Sequence, residues 1–189
     1  MNTSTKENMT ELVMQRQEPL QDRYNTAPEE ARITDRAIAE SGDADPFHGR
    51  VAPGDGLATK LDFGIHRAIG GDHDLPNPGD ILCAALAACL DSTLRMIAAR
   101  MGVMLKSLKV TVNAHADVRG CLMVDRTVPV GFQSIDVNVH LAPAKGTDPA
   151  RVRMLTSKAE QCCVVLQSLR GDVPVSTRFG EMAEDTIAG

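Results

Sequence analysis

Tryptophan is absent from this 189-residue chain, which holds only one tyrosine and four phenylalanines. A nucleic-acid module that stacks bases on aromatic side chains is therefore excluded. Positive charge is also short: 20 Lys and Arg stand against 25 Asp and Glu, and no basic cluster interrupts the pattern. That removes the electrostatic footprint of a nucleic-acid binder. No uninterrupted apolar run approaches the roughly 18 residues that span a bilayer. Residues 1–24 are polar throughout and hold no segment resembling a secretory signal. The expectation is a cytoplasmic protein with neither a membrane nor a nucleic-acid partner. There is no C-x-x-C, which removes thioredoxin-type motifs and the common zinc ribbons, and no G-x-S-x-G for serine catalysis.

What the chain does have is aliphatic. Hydrophobic residues make up 43%, enough for a sizeable core. The length suits one domain with an extension: residues 1–28 read as a weakly structured N-terminal segment and 29–189 as a single domain. In the extension a short helix over Glu11–Gln17 is expected, interrupted by Pro19. Strands are expected within 31–39, at Gly49–Ala52 and at Leu57–Phe63, with 70–79 a loop by composition. The strongest element follows. Asn77 can cap, Pro78 suits the first helical position, and Asp80 puts a carboxylate in the first turn. Ile81–Leu90 is apolar at every position, which predicts a helix buried on all sides, running to a stop at Gly102. Alternation predicts strands at Leu105–Ala116 and Phe132–Leu141, with 117–131 extending both as a hairpin. Asp148-Pro149 opens a helix whose stripe is Val152, Leu155, Ala159, Cys162, Leu166 and Leu169, closed by Gly171. A last strand is expected at Val173–Phe179. The order defines an α+β fold with antiparallel sheet.

Five cysteines stand at positions 83, 89, 121, 162 and 163. An odd count at irregular spacing is no secreted disulfide framework, so the sulfur is either core filler or redox chemistry in a reducing compartment. Cys89 lies far beyond the first helical turn, where the helix dipole cannot ionise it. Cys83 is about 240° around the same helix, so the two cannot pair. Cys121 reads as structural or surface. Cys162 occupies the apolar stripe and Cys163 lies about 100° round from it. One thiol from each helix could meet where the helices cross, if their Cα atoms come within roughly 4.4–6.8 Å. His66, Asp72, His73 and Asp74 form a local cluster whose spacing fits no standard metal motif, so neither metal nor cofactor is expected.

The segment Asn77-Pro78-Gly79-Asp80-Ile81-Leu82-Cys83-Ala84-Ala85-Leu86-Ala87-Ala88-Cys89-Leu90 resembles the first cysteine motif of the OsmC/Ohr family, the osmotically inducible and organic-hydroperoxide-resistance proteins. Ala159-Glu160-Gln161-Cys162-Cys163 resembles the second, with Arg170-Gly171 after it. Asp117-Val118-Arg119-Gly120 and Gly131-Phe132 look like the OsmC-like branch, so the resemblance covers roughly 30–180. It implies an intertwined homodimer in which antiparallel sheet wraps two long central helices, with the paired cysteines near the subunit interface. By match Cys89 is the peroxidatic residue and Cys163 the resolving one, which leaves Cys162 as packing.

The implied chemistry is reduction of an organic hydroperoxide in a stress response. Cys89 becomes a sulfenic acid, Cys163 condenses with it, and an external dithiol reduces the disulfide. An unperturbed thiol is only about 3% ionised at pH 7. Lowering its pKa to roughly 6 gains about thirtyfold in thiolate and loses about tenfold in nucleophilicity. A donor or cation that stabilises the departing alkoxide therefore matters more than ionisation. In the hydroperoxide-reductase branch an Arg in the N-terminal hairpin and a Glu ten residues before the first Cys support the thiolate. Here Phe47 falls at the Arg position and Gly79 at the Glu position. Arg50 and Arg67 are the candidate cations and Asp80 the candidate carboxylate. The competing function is a non-catalytic dimeric module that binds a small apolar ligand.

Overall fold

The computed structural model describes residues 3–41, 45–171 and 173–177. Helix α1 (Thr3–Thr26) leads through a 3-10 turn (Pro28–Ala31) into strands β1 (Ala37–Glu40), β2 (His48–Pro53) and β3 (Leu61–Gly64). Helix α2 (Pro78–Arg100) is followed by strands β4 (Leu105–His115) and β5 (Ser134–Pro143) and by helices α3 (Pro149–Cys162) and α4 (Val164–Arg170). The strands form two antiparallel sheets, one in the order β1-β2-β3 and one of β4-β5. The α+β class read from the sequence is the class observed.

Helix α2 starts where its residues direct. Asn77 Oδ1 accepts from the Gly79 and Asp80 amides at 2.8 and 3.2 Å, and Asp80 Oδ2 accepts from the Asn77 amide at 3.0 Å. This reciprocal box satisfies donors that a helix N-terminus leaves unpaired. α2 is the one described helix long and apolar enough to cross a membrane, with mean hydropathy 1.7 over its most apolar window. It lies against β4, α1, α3 and α4. Leu86, Leu90, Leu94 and Ala98 of α2 bury against Leu155, Ala159, Cys163 and Leu166 from the α3–α4 segment. Each leucine so buried contributes roughly 1.5–3 kcal/mol. The inward faces of the two-stranded sheet close the core: Leu108, Val110 and Val112 on β4, and Ile135, Val137 and Val139 on β5. Val110 pairs with Val139 and Val112 with Val137, and a bulge at Lys106 resets the phase of the first residues of β4.

Several sequence expectations change. The N-terminal extension is a 24-residue helix that carries Pro19 inside it, not a short helix ended there. It rests on the C-terminal half of α2: Thr10 Oγ1 donates to the Ala99 carbonyl at 2.8 Å, and Arg100 donates to Gln17 Oε1 at 3.0 Å. Residues 117–131 form turns, not strand. Gly120 is buried, with the Val128 and Pro129 carbonyls 2.6 and 2.9 Å from where a Cβ would stand. Gln133 locks the loop, accepting from the Asp117 amide at 2.6 Å and donating to the Pro129 carbonyl at 3.0 Å. The helix expected to run unbroken to Gly171 divides at Cys163, whose φ of −75° and ψ of 106° are extended. Residues 173–177 form no strand, and the rest of the expected last strand lies outside the described residues.

α2 is not buried on every side either. Ala84, Ala85 and Ala88 are exposed along one face. The β1-β2-β3 sheet has no helix of its own chain packed substantially on it among the described residues. All four residues of β1 are exposed. A small sheet left this bare is marginal by itself.

Candidate thiol site

The division at Cys163 changes which cysteine faces the core. With α4 starting afresh at Val164, the inward positions are Leu155, Ala159, Cys163 and Leu166, spaced by four, four and three. Cys163 is fully buried, at 0% exposure, whereas Cys162 is exposed. The reading of Cys162 as core packing is therefore corrected: a continuous helix would place it on the stripe, and the break rotates its neighbour inward instead. Neither proline nor glycine causes the break. The Gln167 side chain does the work of a missing backbone amide, donating from Nε2 to the Glu160 carbonyl at 2.8 Å. An ion pair between Arg170 and Glu160 at 2.8 Å spans the junction.

Cys89, half-buried on α2, packs against the same core cluster. That cluster holds Cys163, so the two cysteines are neighbours in one apolar core, close enough for Cys89 to influence the Cys163 thiol. Burial pushes the Cys163 thiol up from its ordinary value; the Leu166 and Val165 amides pull it down, and the adjacent Cys89 pushes it up. The net direction is up, so Cys163 holds its proton. The Cys89 carbonyl accepts from Ser92 Oγ and Thr93 Oγ1 at 3.0 and 2.7 Å, and Thr93 is itself buried.

The structure brings together the two cysteines and none of the charged candidates. Arg50, on β2, bonds Asp62 of β3 at 2.5 Å. Arg67 donates to the Asp72 carbonyl at 3.4 Å. Asp80 is occupied in the α2 capping box, nine residues and therefore about 13 Å of helix axis before Cys89. Cys83 and Cys121 line a separate cavity of about 730 Å³ near the start of α2. Among the residues of the supposed metal cluster, His66 and His73 stack edge to face with centroids 4.6 Å apart. Asp74 turns instead to His48 Nε2 at 3.1 Å, while His48 Nδ1 meets Asp45 at 2.6 Å. This bridge was missed in the sequence, because three groups 29 residues apart in sequence converge only through the β2–β3 fold.

A cavity of about 510 Å³ between α2, β5 and the α3–α4 segment is walled by Leu86, Leu90, Phe132, Ile135, Leu166 and Leu169, and neither Cys89 nor Cys163 lines it. Leu90 adjoins Cys89 in the chain, and Leu166 is one α4 turn past Cys163. Glu160 and Arg170 stand at its edge. The wall is suited to an apolar molecule with one polar end.

An apolar α2 packed on the α3–α4 segment, a two-stranded antiparallel sheet behind it, and one cysteine from α2 and one from the α3–α4 junction in the same core define an α+β thiol protein. The family model for OsmC-like proteins matches residues 71–178, and the chain belongs to that family. Solved structures agree. An organic hydroperoxide resistance protein OsmC from Legionella pneumophila is 26% identical, with 74% of this chain and 90% of that one covered, at a TM-score of 0.54. An organic hydroperoxide resistance protein from Elizabethkingia anophelis is similar in fold at 22% identity, 75% and 91% coverage and a TM-score of 0.55. An OsmC-like protein of unknown function from Vibrio cholerae is similar in fold at 12% identity, 72% and 94% coverage and a TM-score of 0.60. No curated protein matches the chain.

Proposed function

We propose that this chain reduces organic hydroperoxides by a two-cysteine cycle, as a homodimer and in a reducing compartment such as the cytoplasm. The observation that carries the reading is the packing of Cys89 against the apolar core cluster that contains Cys163. The Cys89 thiolate attacks the peroxide O–O bond, takes one oxygen as a sulfenic acid and releases the alkoxide, which leaves as an alcohol. Cys163, kept protonated by burial, then condenses with the sulfenic acid: an S–S bond forms and water leaves. An external dithiol returns two electrons and restores both thiols. The apolar surroundings of the two cysteines favour an organic over an inorganic peroxide. The 26% identity with the Legionella hydroperoxide resistance protein supports the same reading.

The dimer is argued from bare surface. A second copy would cover the exposed alanine face of α2 and the unbacked β1-β2-β3 sheet, in the intertwined arrangement with sheet around the two long helices. It would also offer Arg50 or Arg67 of the partner subunit to Cys89; within their own chain these arginines bond Asp62 and the Asp72 carbonyl instead. Their engagement there is the one observation favouring a non-catalytic ligand-binding dimer.

Titration of free thiols with cumene hydroperoxide tests the reading. The native protein should consume one equivalent and lose two thiols, and Cys89→Ser should do neither. Equal thiol loss in both proteins eliminates Cys89 as the reacting residue.

A further inference from the structure

Cys162 is left over by the proposed cycle, and its position beside the pair is not neutral. It is exposed at the last residue of α3, and the next residue is the fully buried Cys163. A disulfide between Cys89 and Cys163 presents a difficulty for any external reductant. Thiol–disulfide exchange requires a thiolate to reach one of the sulfurs, and its rate depends on which sulfur is accessible. Cys163 sits at 0% exposure and Cys89 is half-buried among leucines. The only thiol joined to the pair through one peptide bond and also open to solvent is Cys162.

The backbone favours its participation. In an unbroken helix the two side chains would be fixed about 100° apart. Here Cys163 is extended, at φ −75° and ψ 106°, and the helical bond that would have closed over the junction is replaced by the Gln167 side chain. The junction is thus the one place in the α3–α4 segment where the backbone leaves the helix while remaining bonded. Tethering also gives Cys162 a far higher effective concentration than a diffusing thiol attains.

We propose that Cys162 is a relay thiol that carries reducing equivalents from an external dithiol to the buried Cys89–Cys163 disulfide, an assignment that rests on the two-cysteine reading above. The Cys162 thiolate attacks the Cys163 sulfur. The Cys162–Cys163 bond forms as the Cys89–Cys163 bond breaks, and Cys89 leaves with the electron pair and takes up the proton that Cys162 released. One thiolate of the external dithiol then attacks the exposed Cys162 sulfur, and Cys163 leaves with its electron pair and is protonated. The second thiol of the reductant displaces Cys162 and departs as the reductant's own disulfide. Two electrons leave the dithiol and two enter the protein. A vicinal disulfide is strained, which keeps its population small; strain also makes it easily reduced, as a transfer intermediate must be.

The test uses the full chain, native and Cys162→Ser, a change at an exposed position. The disulfide is made with one equivalent of cumene hydroperoxide and, separately, with diamide, and is located by peptide mapping. Both proteins should lose two thiols to the peroxide, joined as Cys89–Cys163. Dithiothreitol should then restore the thiols at least tenfold more slowly in Cys162→Ser. In the native oxidised protein, 2-mercaptoethanol should be trapped as a mixed disulfide on Cys162. Equal recovery rates, or a mixed disulfide on Cys89 alone, overturn the relay. A disulfide that maps anywhere other than Cys89–Cys163 also overturns it. Failure of the peroxide arm with success of the diamide arm removes the peroxidase reading and leaves the relay standing as a thiol-exchange property.

Discussion

Replacing Cys163 with alanine separates the structural part of the buried thiol from its chemical part. The side chain is fully buried between Ala159 and Leu166. Removing one sulfur forfeits the transfer of about one methylene-sized group, roughly 0.8 kcal/mol. The void is about the size of a water molecule, roughly 30 Å³, and adds roughly 0.7 kcal/mol at about 24 cal/mol per Å³. The expected loss is about 1.5 kcal/mol, well inside the ~5–15 kcal/mol of a typical domain, so the variant stays folded. With a urea slope of about 2 kcal/mol per M the midpoint should fall by about 0.75 M. Equilibrium urea unfolding reads this, and an unchanged midpoint would refute the packing argument. The chemical half is read by intact mass after one equivalent of cumene hydroperoxide. The native protein should lose two hydrogens; Cys163→Ala should gain one oxygen and, with excess peroxide, a second on Cys89, because its sulfenic acid has no resolving partner. A variant that forms an intramolecular disulfide as fast as the native protein defeats the resolving assignment, whether or not Cys162 supplies the sulfur.

His48 is held by Asp45 first and Asp74 second, and both raise its pKa; Asp45 is lowered first by the Phe47 amide and then by His48, and Asp74 first by His48. Its contribution is therefore fully present below about pH 6.5 and lost as pH rises through the raised value; the carboxylates' share is present above about pH 4 and lost as pH falls through their lowered values. Stability of the native protein relative to His48→Gln should thus be greatest between these limits, and a difference independent of pH would contradict the bridge. Arg50→Ala and Arg67→Ala test the proposed cation: at least one should slow peroxide reduction tenfold or more, and stopped-flow rates equal to the native protein in both would remove that electrostatic role. Ala88→Glu puts a charge on the bare face of α2 and should shift the sedimenting species from dimer to monomer; an unaltered dimer means that this face is not the interface.

The elements legible in the sequence were those whose signals agree locally. Helix α2 combines a cap, a proline and ten apolar residues, and β5 alternates strictly from Ile135 to Leu141. Helix α1 was illegible for the opposite reason. Its half-buried seam, Thr10, Val13, Gln17, Leu20 and Tyr24, has helical spacing but mixed polarity, and Pro19 reads as a breaker. Only bonds to Ala99 and Arg100, some 80–90 residues away, make it worthwhile. The inward turn of Cys163 was hidden similarly. The spacing of Val152, Leu155, Ala159 and Leu166 accommodates either cysteine, and the decision rests on the Gln167 side chain reaching the Glu160 carbonyl. The family motif put the reacting thiol at 163 while periodicity put packing at 162; the break in the helix is what reconciles the motif with burial.

Two deficits of the single chain point in one direction. Chemistry at Cys89 needs charge stabilisation for a departing alkoxide, yet Arg50 and Arg67 bond elsewhere and Asp80 is spent on a helix cap. The fold needs cover for a three-stranded sheet and an alanine face, yet the described residues of the same chain supply neither. The proposed dimer would remedy both at once, because Arg50 is carried on the very sheet that lacks a partner. Covering α2 of one subunit with that sheet from the other would bring a cation toward a helix whose own first ten apolar residues contain none. On this argument catalysis and association fail together: a variant that sediments as a monomer should also lose peroxide reduction, although its Cys89 and Cys163 remain in the same core cluster. A monomeric variant with native peroxide kinetics would show that one chain suffices and that the alkoxide is stabilised without either arginine.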